Sequence, residues 1–237
     1  MHTDTMSAGQ TARERARAEL TWEITEAARR QLAEVGAGAL SLRAVARELG
    51  MVSSALYRYF PSRDDLLTAL IVQAYDSLGA AVESAAVGAD PSTRWRSACN
   101  AVRDWARDRQ HEYALIYGSP VPRYRAPRST VAPAARVPMV LLGVVSQAWR
   151  RGALTAPAEP GPFPPVLDEQ LRVLAEAVAP ELPAAILNRV LIAWTQLFGM
   201  ISFELFGQLV GSVSPSDEFF ARATDQMASF LGLVSEK

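Results

Sequence analysis

One stretch of the chain decides the fold: Ser41-Leu-Arg-Ala-Val-Ala-Arg-Glu-Leu-Gly-Met-Val-Ser-Ser-Ala-Leu-Tyr-Arg-Tyr-Phe-Pro-Ser-Arg63. Its apolar residues recur at three- and four-residue steps on both sides of Gly50, which predicts two short helices joined by a tight turn. Ser41 is expected to cap the first helix. The second helix is expected to run from about residue 53 to residue 59, because Pro61 cannot continue it.

Further helices are predicted on both sides of this pair. An apolar stripe from Leu20 to Val35 has helical spacing and ends at two glycines. Ser62 and Asp65 form a capping-box pattern that opens a fourth helix, expected to reach about Leu78. Residues 1–10 are small and polar and are predicted to be disordered. Residues 1–70 are therefore expected to form one small domain.

The remainder, residues 71–237, is predicted to be a second and larger helical domain. Helical patterns occupy residues 92–110, 138–152, 165–178, 183–210 and 214–234. Proline-rich breaks separate them, and no run shows the two-residue alternation of a strand. The predicted fold class is therefore all-α, with a three-helix helix-turn-helix head and a helical body.

The outer face of the second short helix suits a DNA groove. Its serines would let the helix enter a major groove about 12 Å wide, while Tyr57 and Arg58 could bind phosphates or base edges. Residues 41–63 carry a net charge of +3, but nine arginines and nine acidic residues balance over residues 1–70. One head alone is thus expected to bind weakly, and a dimer would place two recognition helices about 34–36 Å apart. The alternative is an ordinary helical hairpin with a solvated polar face.

Three motifs in this part of the chain carry a family resemblance: Ile24-Thr-Glu-Ala-Ala-Arg29, Leu42-Arg-Ala-Val-Ala-Arg-Glu-Leu-Gly50 and Ala55-Leu-Tyr-Arg-Tyr-Phe-Pro-Ser-Arg-Asp-Asp-Leu66. Together they resemble the N-terminal signature of the TetR family of bacterial transcriptional regulators. The resemblance implies that residues 53–55 face bases, and that two tyrosines and Arg63 meet phosphates. Val52 stands where the family often has serine, so the helix cap is shifted to Ser53 or lost. The predicted DNA-contacting residues are Ser41, Leu42, Arg43, Ser53, Ser54, Ala55, Tyr57, Arg58, Tyr59 and Arg63.

The body carries a second resemblance, to a TetR subclass marked by a tryptophan followed by histidine-glycine. Trp194 and Gly199 match that marker, whereas Phe198 replaces the histidine, and residues 113–127 are similar to the same subclass. The resemblance implies a pocket for a small-molecule effector and a dimer interface made by the last two long helices. The predicted ligand-binding residues are Trp105, Tyr113, Tyr117, Trp149, Phe198 and Glu204. Core packing is the alternative for the aromatic residues, and an ion pair with a structural arginine is the alternative for the glutamate.

The predicted dimer interface has its own candidate positions in the last helix. They form an apolar stripe of Phe219, Phe220, Met227, Phe230 and Leu231. Burial within one subunit is the alternative for these side chains.

Several kinds of site are not expected. Cys99 is the only cysteine and there are two histidines, so neither a disulfide within the chain nor a multi-histidine metal site is predicted. No nucleophile elbow or phosphate loop is found, and no catalytic residue, metal or cofactor is predicted. Polar residues such as Arg189 and Glu204 interrupt the apolar stretch 184–210, so no membrane span is predicted there, and no signal peptide is predicted either. The chain is expected to be cytoplasmic, with no membrane partner.

The predicted function is a DNA-binding transcriptional regulator, specifically a homodimeric repressor that binds an inverted-repeat operator and is released by a small molecule. The ligand would favour a different spacing of the two heads and so lower operator affinity. The alternative is an all-α small-molecule-binding adaptor or enzyme that does not bind DNA.

Overall fold

The computed structural model describes residues 4–155 and 161–233, with side chains from residue 11 onward. Ten α-helices and two short 3₁₀ helices, Ala37–Ala39 and Arg128–Thr130, make up the regular structure of those residues, which contain no strand, so the predicted all-α class is confirmed. The helices are α1 (Asp4–Val35), α2 (Leu42–Glu48), α3 (Ser53–Leu56), α4 (Arg63–Ala85), α5 (Pro91–Asp108), α6 (Gln110–Tyr117), α7 (Val131–Arg150), α8 (Pro165–Val178), α9 (Ala184–Leu205) and α10 (Asp217–Leu231).

The chain divides into two compact units. The head unit comprises Met1–Ala74 together with His111–Thr130, and the body unit comprises Tyr75–Gln110 together with Val131–Lys237. The helix α4 therefore contributes its first half to the head and its second half to the body. The head also contains most of α6, a separate helix that the sequence pattern does not predict. The predicted domain division at residue 70 stays a prediction.

The head is built around the side chains that the periodicity of the sequence places inward. Ile24 of α1, Val45 of α2 and Leu56 of α3 are fully buried. The start of α4 is fixed as predicted, because the backbone N–H of Asp65 donates to Ser62 Oγ at 3.1 Å and Ser62 Oγ donates to the Asp65 carboxylate at 2.7 Å. Helix α1 begins at Asp4, inside the segment that was expected to be disordered, while residues 1–3 lie outside the described part.

The body is a helical assembly in which α5 packs against α7, α9 and α10. Its core includes Trp95, Val102, Leu141, Leu197 and Met227, each no more than 2% exposed. The predicted bounds of α8 are those observed. In contrast, α7 begins at Val131 and not at residue 138, because the helix accommodates Pro138 in its interior.

Three helical stretches are long and apolar enough to cross a membrane by length and composition alone: Arg63–Ala85, Arg128–Arg150 and Ala184–Leu205. Arg189 and Glu204 interrupt the apolar run of residues 184–210, and the expectation that this run does not span a membrane stays a prediction. In each stretch 39% to 44% of the most apolar window is buried inside the protein. Burial of one side of each helix in a helical core accounts for its apolar composition.

Candidate nucleic-acid interface and effector site

The turn between α2 and α3 is fixed by Gly50. This glycine has a positive φ of 65°, a conformation that strains residues with a Cβ. Its N–H donates to the carbonyl of Arg47 at 3.2 Å, and the N–H of Met51 donates to the carbonyl of Ala46 at 2.8 Å. These two bonds form a Schellman motif, which ends α2 and sets the direction in which α3 leaves the turn.

Helix α3 has one buried side and one outward side. Leu56 is fully buried, whereas Ser54, Tyr57 and Arg58 are exposed, and Ser53 and Ala55 are half-buried. The helix is shorter than predicted and ends at Leu56, after which the N–H of Tyr59 donates to the carbonyl of Leu56 at 2.9 Å in a tighter turn. The outward side has the small and polar surface that insertion into a major groove requires.

The first turn of α3 has no side-chain cap. Val52 occupies the N-cap position, and no side chain accepts a hydrogen bond from the helix there. Of the two possibilities left open by the sequence, the cap is therefore lost and not shifted to Ser53. Ser41 does occupy the N-cap position of α2, but its side chain does not cap the helix, and its N–H donates to Gln31 Oε1 at 2.5 Å.

Two other predicted DNA-contacting residues are buried or half-buried within the head. Leu42 is 6% exposed and belongs to the core, so a DNA contact from it would have to come from its backbone. Tyr59 is half-buried, and the guanidinium of Arg17 lies 5.1 Å from the centre of its ring. This cation–π contact holds the ring against α1.

Arg63 is tied to the connection between α1 and α2. Its Nη2 donates to the carbonyls of Ala37 at 2.6 Å and Gly38 at 3.1 Å, and its Nε donates to the carbonyl of Leu40 at 3.1 Å. The guanidinium therefore ties the start of α4 to three carbonyls of the connection between α1 and α2, which contains the short 3₁₀ helix Ala37–Ala39. Its predicted contact with phosphate stays a prediction.

Positive charge is concentrated on the outward side of α2 and the end of α3. Arg43, Arg47 and Arg58 are exposed, and none of them makes an ion pair with another described residue. The one glutamate in this stretch, Glu48, accepts from Nε of Arg30 at 2.7 Å and is thereby neutralised. Arg47 is not among the predicted DNA-contacting residues, although its spacing of four residues from Arg43 places both on one side of α2.

The predicted ligand-binding residues do not form one group. Tyr113 and Tyr117 belong to the head unit, with ring centres 5.2 Å apart, whereas the other four belong to the body unit. Trp105 is 6% exposed and its Nε1 donates to Ser77 Oγ at 3.0 Å. Trp149 is 36% exposed on the outside of α7. A ligand role for these residues stays a prediction.

Glu204 binds an arginine. Both of its carboxylate oxygens accept from Arg103, from Nε and Nη2 at 2.8 Å each, which is the ion pair weighed as the alternative to a ligand contact. Burial opposes ionisation of Glu204, but hydrogen bonds from Arg103 and Ser216 outweigh it and hold the pKa of Glu204 below its ordinary value.

A cavity of about 230 Å³ lies among α7, α8 and α9, and none of the predicted ligand-binding residues lines it. Its walls are Ala135, Pro138, Met139, Leu141, Leu142, Leu174, Val178, Leu187, Val190, Leu191 and Trp194. Sequence periodicity could not identify this site, since an apolar residue that faces a cavity has the same spacing as one that faces the core. The described residues contain no cluster of histidine, cysteine and carboxylate side chains able to hold a metal ion.

Two family models match the chain. The one described as bacterial regulatory proteins, tetR family, matches residues 24–70, and the one described as tetracyclin repressor-like, C-terminal domain, matches residues 95–227. HTH-type transcriptional regulators of Mycobacterium tuberculosis and Mycobacterium bovis are 39% identical to the chain over 197 residues. That alignment covers 81% of this chain and 83% of each relative.

Solved structures show the same likeness. The regulatory protein SCO4313 is 34% identical, with a TM-score of 0.76 over 91% of this chain and 98% of its own. The TetR-family regulator PfmR of Thermus thermophilus is 20% identical, with a TM-score of 0.54 over 90% of this chain and 99% of its own, a likeness of fold alone.

Proposed function

Because the chain belongs to the TetR family and is a DNA-binding transcriptional regulator, we propose that it is a cytoplasmic repressor that binds an inverted-repeat operator as a homodimer. A small-molecule effector bound by the body would release it from DNA. The observation that carries the proposal is the outward side of α3, where Ser54, Tyr57 and Arg58 are exposed next to unpaired arginines. Its role is regulatory and not enzymatic, in keeping with relatives that are transcriptional regulators.

Different residues of the head would contact different parts of the DNA. Ser53, Ser54 and Ala55 would face bases, since their small side chains allow close approach to the floor of the groove. Arg43, Arg47, Tyr57 and Arg58 would bind phosphates, which fixes the register without reading the sequence. Arg63 and Tyr59 would act mainly by holding the head in shape.

A homodimer would compensate for the small net charge of each head. Helix α9 offers a surface for it, because Ile192 and Phe203 are 45% and 55% exposed. Gly199 lies between them on the same side, with open space around the position of a Cβ. Effector release would follow from population shift, in which the ligand prefers a spacing of the heads that does not match the half-sites.

The test begins with selection of bound fragments from random DNA by the purified full-length protein. The selected operator is expected to be an inverted repeat, bound with an affinity that falls steeply as salt rises. Arg58→Ala should weaken binding to the operator and to unrelated DNA by a similar factor and reduce the salt slope by about one. Ser54→Ala should instead change the preferred sequence.

Arg222→Ala is the matched control, since this arginine is exposed on α10 in the body. It should leave both affinity and salt slope unchanged. If no fragment is enriched, or if Arg58→Ala and Arg222→Ala behave alike, α3 is not the DNA-reading helix.

A further inference from the structure

The cavity among α7, α8 and α9 has the character of a binding site for an apolar molecule. Its floor is closed by Leu141, Leu187 and Val190, which are at most 5% exposed. Its opening includes Met139, which is 44% exposed and whose flexible unbranched side chain can adjust to an occupant. The lining contains no charged residue.

The size of the cavity limits its occupant. An apolar cavity of about 150 Å³ stays free of water and takes up benzene. The space here is about 230 Å³, which suits a molecule of about two fused rings. The Trp194 indole N–H, which is buried without a partner, is the one polar side-chain group of the lining, and a single N–H cannot compensate a charged group for its lost hydration, so an uncharged ligand is required.

The same segment of α7 that lines the cavity also holds α4. Ala135, Pro138 and Met139 face the cavity, whereas Arg136 between them reaches α4. Its Nη1 donates to Asp76 Oδ1 at 2.9 Å, and its Nε and Nη2 donate to the Glu83 carboxylate at 2.8 and 2.6 Å. These bonds clamp the second half of α4, the helix that begins at Arg63 in the head unit.

Two features make this clamp sensitive to the cavity. Pro138 lies inside α7 and has no N–H to donate to the preceding turn, so the helix is weakest where it lines the cavity. Arg136 also lies so close to Gly79 that a Cβ there would meet its Nε at 2.7 Å and its Cβ at 2.9 Å. The clamp therefore tolerates little displacement of α7 against α4.

We propose that this cavity is the effector site, that its ligand is an uncharged and largely hydrocarbon molecule of about two fused rings, and that the ligand acts by moving residues 135–139 and loosening the Arg136 clamp on α4. The inference rests on the proposed function for its regulatory part. The binding part can be tested without DNA.

Calorimetry of the full-length protein with 2-naphthol, which is uncharged at pH 7, tests binding. The expected dissociation constant is on the order of 10–100 μM. Naphthalene-2-sulfonate, of similar shape but charged, should bind at least tenfold more weakly. Ala135→Phe fills the cavity and should weaken 2-naphthol binding at least tenfold, while Ala132→Phe, at an exposed position of the same helix, should leave it within twofold.

Leu191→Phe fills the cavity from α9 and provides the same test if Ala135→Phe does not fold. Absence of 2-naphthol binding, or binding that survives both substitutions, overturns the site. Binding that weakens as protein concentration rises also overturns it, since a second copy of the chain would then occupy the cavity.

The regulatory part is tested with Arg136→Met, which removes the clamp but no cavity wall. Without ligand this variant should bind the operator at least threefold more weakly than the wild type, and 2-naphthol should change its affinity by less than twofold. In the wild type 2-naphthol should weaken operator binding.

If the wild type binds its operator but 2-naphthol does not affect it, the effector assignment fails while the proposed DNA binding stands. If the wild type binds no operator, the proposed function itself fails.

Discussion

The guanidinium of Arg63 carries the positive charge that a phosphate contact requires, and its planar shape also lets it donate several hydrogen bonds within the protein. Its guanidinium donates to the carbonyls of Ala37, Gly38 and Leu40, which lie between α1 and α2. A lysine would keep the positive charge but could not reach three carbonyls with the planar fork of an arginine. A lysine substitution at this position can therefore distinguish a structural role from a phosphate contact.

We predict that Arg63→Lys lowers the free energy of unfolding by about 0.5–1.5 kcal/mol, because the partly buried carbonyls of Ala37 and Leu40 lose the hydrogen bonds that the guanidinium donates. Urea unfolding followed by circular dichroism measures this change. Arg43→Lys, at an exposed position of α2, is the control and should have almost no effect. An unchanged urea midpoint for Arg63→Lys would mean that the loop does not need these hydrogen bonds.

At the scale of helices, one arginine joins three elements of the body. Arg103 of α5 binds Glu204 of α9 through two hydrogen bonds and donates from Nη1 to Asp217 of α10 at 2.8 Å. The side chains of Arg103 and Glu204 are 7% and 14% exposed, so water screens their pair weakly. Removal of one partner would leave the other as a poorly compensated charge.

Arg103→Met should therefore lower the free energy of unfolding by about 3–5 kcal/mol at pH 7. The double variant Arg103→Met, Glu204→Leu should recover most of this loss, because no buried charge remains unpaired. Urea unfolding of the two variants measures the difference. A double variant no more stable than the single one would show that the ion pair itself, and not its disruption, determines the stability.

The same cluster predicts a pH dependence. Hydrogen bonds from Arg103 and Arg107 lower the pKa of Asp217, and the pKa of Glu204 is lowered as well. Both groups thus stabilise the fold while the pH is above their ordinary values, 4.5 and 3.8, and this stabilisation is lost as the pH falls through the lower values of the folded state. The wild type should lose more stability than the double variant as the pH is lowered from 5 to 3.

Local signals in the sequence predicted some elements well. Gly50, the Ser62–Asp65 pair and the prolines before α8 indicate turns and helix starts, because each acts within a few residues, the first two through hydrogen bonds and the prolines through their fixed φ. The predicted start of α7 is too late, since the proline-rich pattern up to Pro138 indicates a break, whereas packing of the helix outweighs the one hydrogen bond that Pro138 cannot make. The partners of Arg63, Arg136 and Glu204 lie far away in sequence, and no periodicity reveals them.

At the scale of the whole molecule, the apolar side chains of the last two helices lie in two different environments, buried on α10 and exposed on α9. Phe220, Met227 and Leu231 of α10 are at most 2% exposed and pack within one subunit. Ile192 and Phe203 of α9 are 45% and 55% exposed, and with Gly199 they are spaced seven and four residues apart on one side of the helix. From this exposed apolar stripe we predict that α9 forms the surface for a second copy of the chain.

Phe203→Asp should raise the dimer dissociation constant at least about a hundredfold, because a twofold axis places the introduced charge in the interface twice. Sedimentation of the wild type and the variant measures it. Val87→Asp is the matched control, since Val87 is 66% exposed between α4 and α5 and its substitution should leave the dimer intact.

If Phe203→Asp leaves the dimer intact, the two copies meet on another surface, and the spacing of the DNA-binding heads is not set by α9. If it gives a folded monomer, operator affinity should fall as well, because one head with a charge of +3 between residues 41 and 63 can neutralise few phosphates.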